Sequence, residues 1–193
     1  ADELGAETIA QYAKQAGLLD RYSVSGISTA AGSVELEGAT SAQLGWAGVG
    51  QYHDLVNPCA LMVWMGGVAN GGKAAVPYLV LKTEGGLPHP SFHFTRRTGQ
   101  LIQADTAQVL ADMMAQNVVQ TYGADRFPNM DLCAKSGTAE VGGGKQPSSW
   151  FTGFLRDQDF PYAFAVVVEE GGSGAGAAGN VAAQVLDALV NGY

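Results

Sequence analysis

Residues 131–141 read Asp-Leu-Cys-Ala-Lys-Ser-Gly-Thr-Ala-Glu-Val and place one lysine in an otherwise weakly polar segment. Side chains alternate between the two faces of a β-strand, so Lys135 and Gly137 are predicted to share one face. Ser136 and Thr138 then lie on the other face. A cation, two hydroxyls and a residue without a side chain favour binding of a carboxylate-bearing ligand close to the backbone. The same pattern also fits an ordinary edge strand, in which lysine deters aggregation and glycine marks a bulge.

The bulk composition is typical of one folded domain with its own core. The chain has 193 residues, of which 47% are hydrophobic and 15% charged. Its net charge is −8 and it has no basic run, so we expect no nucleic-acid partner. No apolar run is long enough for a transmembrane helix. Both cysteines, Cys59 and Cys133, lie in apolar segments and are predicted to be free, buried thiols.

Hydrophobic periodicity predicts four helices and several strands. Asn57 and Pro58 supply a capping side chain and a first-turn proline for one of the helices. The predicted helices cover 6–16, 57–70, about 105–121 with a cap at Asp105 or Thr106, and 177–190. The predicted strands cover 34–36, 78–82, the lysine segment, 149–156 and 162–170, the last two as an antiparallel hairpin. Residues 18–56 otherwise read as irregular.

The final predicted helix carries apolar residues one turn apart. Val181, Val185 and Leu189 are spaced to pack on the sheet.

Two shorter patterns point to other classes of protein. Residues 174–179 spell GxGxxG at the start of a helix, as in dinucleotide-binding folds, but two glutamates stand just before them and no ribose-binding acid follows. His89 and His93 have a spacing that suits a metal on a helix, but Pro90 argues against a helix there. We therefore expect no dinucleotide cofactor and no metal.

The region around the lysine segment resembles the C-terminal part of a penicillin-binding protein transpeptidase domain, most like the class B type of the serine β-lactamase/transpeptidase superfamily. In that family a Lys-Thr/Ser-Gly-Thr strand precedes a Trp-Phe-x-Gly strand, a Val-rich strand and a closing helix. The corresponding segments here are 135–138, 150–153, 162–170 and 177–190.

A second similar run lies upstream. Gly50-Gln51, Val56-Asn57-Pro58 and Ala69-Asn70-Gly71-Gly72 resemble the family's Gly-Gln-Gly, Thr-Pro and Ala-Asn-Gly-Gly segments. Tyr52 stands where the second glycine is usual, and Asn57 where threonine is usual. Both departures lie outside the catalytic motifs.

The family's route to acyl transfer also needs a Ser-x-x-Lys and a Ser-x-Asn motif. None of the ten serines has lysine three residues on or asparagine two residues on. Residues 4–9 resemble the helix that follows the second motif, so we expect both motifs to precede Ala1. The chain is thus expected to be one partial transpeptidase domain over 1–193, lacking its N-terminal half.

The resemblance implies an α/β fold of the α+β type, with an antiparallel sheet of about three C-terminal strands packed with helices. Residues 1–128 would form a mainly helical and irregular part. Residues 129–193 would hold the lysine strand, the hairpin and the last helix. The missing half would leave an exposed sheet edge, which predicts self-association or pairing with a partner there.

Carried over to matching positions, the resemblance implies catalytic roles for Lys135 and Thr138. Lys135 would place positive charge beside the missing serine, and the Thr138 N–H would be one of two oxyanion donors. The hydroxyls of Ser136 and Thr138 would bind the carboxylate of a D-alanine-terminated stem peptide or a β-lactam. Gly137 would let the substrate backbone run along the strand edge. The resemblance assigns no chemistry to Glu140 and implies no cofactor or metal.

The implied function is that of a portion of a peptidoglycan D,D-transpeptidase that binds penicillin, works at the extracytoplasmic face of a bacterial membrane, and is inactive alone. Two alternatives stay open. One is a stand-alone, non-catalytic binding or scaffold protein derived from the same fold. The other is an unrelated enzyme that uses Lys135 or Ser136 with other partners.

Overall fold

The computed structural model describes residues 1, 3–80 and 95–192. The helices are α1 Gly5–Gln15, α2 Ser41–Ala47, α3 Pro58–Ala69, α4 Ala104–Asn117 and α5 Ala177–Val190. The strands are β1 Ser23–Val24, β2 Ile27–Ser28, β3 Leu132–Ala139, β4 Ser148–Leu155 and β5 Ala163–Val168. A π-helical turn, Val118–Tyr122, continues α4, and a 3-10 turn, Ala124–Arg126, follows it. No helix in these ranges is long and apolar enough to cross a lipid bilayer.

The main sheet has three antiparallel strands in the order β3-β4-β5. In its register Lys135 lies opposite Thr152, and Gly137 lies opposite Trp150. The predicted fold class, the lysine-bearing strand and the antiparallel hairpin that follows it are all confirmed.

Helices cover both faces of this sheet. On one face, α5 packs through Ala178, Ala182 and Leu186 against a core that includes the fully buried Phe151. On the other face, α3 and α4 pack against Phe154 of β4 and against β3. Seven of the eight residues of the central strand β4 are buried, because apolar groups reach it from both sides. The rigid layer that results fixes the position of β3.

The capping residue and the first-turn proline correctly predicted where α3 begins. The Asn57 side chain accepts a hydrogen bond from the Ala60 N–H at 2.8 Å, and Pro58 is the first helical residue. The predicted cap of α4 is wrong. That helix starts at Ala104, and the Asp105 carboxylate accepts instead from the neighbouring Thr106 N–H at 2.7 Å.

The predicted packing face of α5 is also wrong. Val181, Val185 and Leu189 are 42%, 51% and 47% exposed. The helix carries two apolar stripes with the same four-residue spacing. The stripe that contains the small residues Ala178 and Ala182 faces the sheet, since short side chains let a helix approach its neighbour closely.

The region predicted to be irregular, 18–56, contains a small β1–β2 hairpin and helix α2. A reciprocal capping box between Thr40 and Gln43 starts α2. The strand predicted over 34–36 is not formed, and only Ser33 bridges to Leu55.

The strand predicted over 78–82 is absent from its described part, 78–80, and the rest lies outside the described residues. His89 and His93 lie outside them as well.

Both cysteines are free, as predicted. Cys133 is fully buried, and its thiol donates to the Ala111 carbonyl at 3.3 Å. Burial raises the pKa of Cys133 to about 11. Cys59 is only partly buried, and burial raises its pKa as well.

Candidate functional site

The open edge of β3 borders a groove of about 610 Å³. All four residues predicted for the site, Lys135, Ser136, Gly137 and Thr138, line this groove. The opposite wall comes from the loop between α2 and α3, which contributes residues 49–52 and 54–56. The structure therefore brings the predicted residues together, while their chemical roles stay predictions.

Hydrogen bonds show which backbone groups of β3 point away from β4. The Ser136 N–H donates to the Tyr122 hydroxyl at 2.6 Å, and the Thr138 carbonyl accepts from Gln51 Nε2 at 3.0 Å. In an antiparallel strand the N–H and C=O of one residue point the same way, and this direction repeats every second residue. The Thr138 N–H, the predicted oxyanion donor, is therefore directed at the groove.

Lys135 lies on the sheet face that α3 and α4 cover, but its side chain is exposed. Its ammonium donates to the carbonyl oxygen of Ser136 at 2.6 Å. An ammonium has three N–H donors, so with respect to the described part of the chain two are available to a ligand in the groove.

The hydroxyls of Ser136 and Thr138 lie on the other face, toward α5. Ser136 Oγ accepts from the Tyr122 hydroxyl at 2.9 Å, and Thr138 Oγ1 accepts from the Gly174 N–H at 3.1 Å. A hydroxyl that accepts a hydrogen bond keeps its own proton for donation. Both side chains are thus held in a state that can donate to an anionic ligand.

Two glycines meet behind the strand. A Cβ added at Gly174 would lie 2.7 Å from the Gly137 nitrogen and nearer still to its carbonyl oxygen, so Gly174 permits the loop before α5 to support β3. Within residues 1, 3–80 and 95–192, a Cβ added at Gly137 would meet only the Trp150 Cβ at 3.5 Å, an ordinary contact. Internal packing therefore leaves room for a side chain at 137, and the predicted reason for glycine there, passage of a substrate backbone, stays a prediction.

Packing explains part of the GxGxxG pattern. Gly174 lies against β3, and added Cβ atoms at Gly176 and Gly179 would lie within 3.0 Å of Ser173 and Arg126. The contact with the β3 backbone requires glycine at 174, whereas the Arg126 guanidinium beside Gly179 is the end of a flexible side chain that can move.

Asp54 in the groove wall was not predicted from the sequence. Its Oδ1 is buried and has no hydrogen-bond partner in the described part of the chain. Burial raises the pKa of this carboxyl, and the nearby His53 opposes the rise.

Three further residues that contact β3 were not predicted from the sequence as site residues. Gln51 belongs to the Gly50-Gln51 segment, which resembles the family's Gly-Gln-Gly segment, so the sequence did mark this position. Tyr122 and Asn117 gave no signal, because their hydrogen bonds to β3 join separate elements of the fold.

Comparison with known proteins adds independent information. Residues 1–191 match the model of the penicillin binding protein transpeptidase domain family. The chain is 32% identical over 149 residues to the peptidoglycan D,D-transpeptidase PbpA of Mycolicibacterium smegmatis, covering 74% of this chain and 30% of that protein. It is 31% identical over 156 residues to PbpA of Mycobacterium tuberculosis, covering 78% of this chain and 31% of that protein.

The fold is similar to that of penicillin-binding protein A from M. tuberculosis, solved as an imipenem acyl-enzyme complex. The TM-score is 0.83 at 28% identity, and the match covers 97% of this chain and 43% of that structure. The chain thus spans about a third of the length of the curated relatives it matches.

Proposed function

The chain belongs to the penicillin-binding protein transpeptidase family, and from this we propose that it is the C-terminal portion of a serine peptidoglycan D,D-transpeptidase. Its substrate would be a stem peptide ending in D-Ala-D-Ala, and β-lactams would acylate the same site. The observation that carries the proposal is the open edge of β3, which presents Lys135, Ser136 and the Thr138 N–H to one groove.

Each group at this edge has a defined part in acyl transfer. The Lys135 ammonium attracts the substrate carboxylate and favours proton transfer at a neighbouring serine. The Thr138 N–H donates to the oxygen that becomes negative in the tetrahedral intermediate, and loss of one such donor typically costs about 10²–10³ in rate. The Ser136 and Thr138 hydroxyls donate to the carboxylate, which sets the position of the scissile bond.

The nucleophile and its activating lysine come from residues outside this chain, since none of the ten serines carries either serine motif. We therefore infer that the 193-residue chain is inactive alone and that the complete enzyme works at the extracytoplasmic face of the bacterial membrane.

The open edge of β5 fits this incomplete state. In the described ranges β5 pairs only with β4, and an unpaired edge is a template for another strand. A strand from the rest of the domain would pair there in the complete enzyme. Alone, the chain is expected to self-associate through this edge, and a strict monomer in sedimentation at high concentration would contradict that expectation.

The proposal is tested in the longer polypeptide that adds the residues encoded upstream of Ala1 in their natural frame. Replacing Lys135 with alanine is expected to slow acylation by a labelled penicillin at least about 100-fold, because the cation at the reacting centre is lost. Lys145→Ala is the matched control, since Lys145 lies exposed in the turn between β3 and β4. Equal acylation rates in the Lys135 variant and the control would contradict the proposal.

A further inference from the structure

Tyr122 connects the π-helical turn to the centre of the lysine-bearing strand. Its ring packs edge-on against the fully buried Phe151, with the ring centroids 5.1 Å apart. Its hydroxyl lies 2.6 Å from the Ser136 nitrogen and 2.9 Å from Ser136 Oγ. The phenol is therefore held at Ser136, one of the two residues of β3 whose hydroxyls are proposed to bind the carboxylate.

The hydrogen bonds around the phenol determine where its proton goes. The Tyr122 oxygen accepts from the Ser136 N–H and, at 3.1 Å, from Asn117 Nδ2. Neither of these donors can accept a proton in return. The single phenolic proton is thus left for Ser136 Oγ, which is the one acceptor in contact with it among the described residues.

The orientation of the Asn117 amide supports this assignment. Its Nδ2 also donates to the Ala134 carbonyl at 3.1 Å, and its Oδ1 accepts from Thr121 Oγ1 at 3.0 Å. If the Asn117 amide were flipped, its oxygen would face the Ala134 carbonyl oxygen. With the Thr121 hydroxyl in the same orientation, the hydrogen bond from Thr121 would also be lost. Asn117 therefore presents an N–H to the phenol, and the phenol donates to Ser136.

We propose that Tyr122 is a positioning residue that makes the Ser136 hydroxyl a dedicated donor and so selects ligands that end in a carboxylate. Because Ser136 Oγ already accepts from Tyr122, its own proton is directed away from Tyr122, and a donor that is itself hydrogen-bonded in this way is strengthened. A carboxylate accepts this proton as a charge-assisted bond, whereas a carboxamide or ester offers a weaker acceptor. This inference rests on the proposed function for the identity of the ligand.

A purely structural role for Tyr122 predicts a different outcome. A phenol that only braces β3 would, when removed, weaken binding of every ligand in the groove by the same factor. A proton-directing phenol would, when removed, weaken carboxylate binding alone. The ratio of affinities for two ligands that differ only at the terminus distinguishes the two roles.

The test is a titration of the 193-residue chain, followed by NMR, with N-acetyl-D-Ala-D-Ala and with its C-terminal amide. The wild-type chain is expected to prefer the carboxylate by about tenfold or more, the size of one hydrogen bond to a charged group. Tyr122→Phe is expected to reduce this preference several-fold with little change for the amide, while Lys135 and the Thr138 hydroxyl keep the rest of it. Tyr162→Phe, which removes the hydroxyl of an exposed tyrosine, is expected to keep the preference.

Three outcomes would overturn the inference: no carboxylate preference in the wild-type chain, an unchanged preference in Tyr122→Phe, or an equal loss for both ligands. Thermal unfolding of each variant shows whether the fold persists. Failure of the proposed function would show separately, as absence of penicillin acylation in the longer polypeptide. The two failures are therefore distinguishable.

Discussion

Replacing Ser149 with alanine removes a hydroxyl that joins the central strand to the start of α5. Ser149 is fully buried. Its Oγ donates to the Ser173 carbonyl at 2.7 Å and accepts from the Ala178 N–H at 2.9 Å. The first residue before the helix, Gly176, has no side chain to cap it. Ser149 therefore caps α5 from another element of the fold.

The expected loss of stability follows from the groups that the substitution leaves without a hydrogen-bond partner. The Ala178 N–H is fully buried, and an unsatisfied buried donor costs about 1–3 kcal/mol. The Ser173 carbonyl loses this bond as well, but it keeps the one from the Gly176 N–H at 3.0 Å, and Ser173 is exposed, so water can replace the hydroxyl. We expect Ser149→Ala to lower the free energy of unfolding by about 2–3 kcal/mol, which corresponds to a fall in Tm of roughly 4–12 °C for a chain of this size.

The assay is urea unfolding of the variant beside Ser148→Ala. Ser148 precedes Ser149 in β4 and is 8% exposed, and no side-chain hydrogen bond is found for it within the described ranges. This control is expected to lose less than about 1 kcal/mol. Equal losses in the two variants, or a loss below about 0.5 kcal/mol for Ser149→Ala, would refute the capping argument.

Two other substitutions test the site. Gly174→Ala puts a Cβ against the Gly137 backbone and should cost about 1–3 kcal/mol in urea unfolding, whereas Gly99→Ala, at an open position, should be near neutral. Burial raises the pKa of Asp54 above its ordinary value of 3.8, so the protonated form favours folding and wild-type stability falls as pH rises through the raised pKa. Asp54→Asn should therefore raise Tm at pH 7, with a gain that shrinks as pH falls toward 3.8; a gain that is constant with pH would contradict this.

Features of the fold with local causes were predictable from the sequence. Asn57 and Pro58 start α3 because a cap and a first-turn proline act within one helical turn. The hairpin of β4 and β5 follows from two adjacent strand patterns and a short connection. Lys135 and its neighbours lie together because they are consecutive on one strand.

Features that depend on contacts between distant elements were not predictable. The packing face of α5 could not be chosen, since both of its stripes are apolar and only contact with the sheet selects the alanine-rich one. The bonds from Tyr122 to Ser136 and from Gly174 to Thr138 join separate elements, and no sequence pattern marks them. The groove wall at Asp54 comes from a loop that has no periodic signal.

The measurement that tests the central claim most directly is peptide mapping by mass spectrometry after exposure to penicillin. It is applied to the 193-residue chain and to the longer polypeptide that includes the upstream residues. The account predicts no adduct on any of the ten serines of this chain, and one acyl adduct on an upstream serine of the longer polypeptide. An adduct on a serine of this chain, or no adduct in the longer polypeptide, would contradict the claim that β3 forms half of an acyl-transfer site.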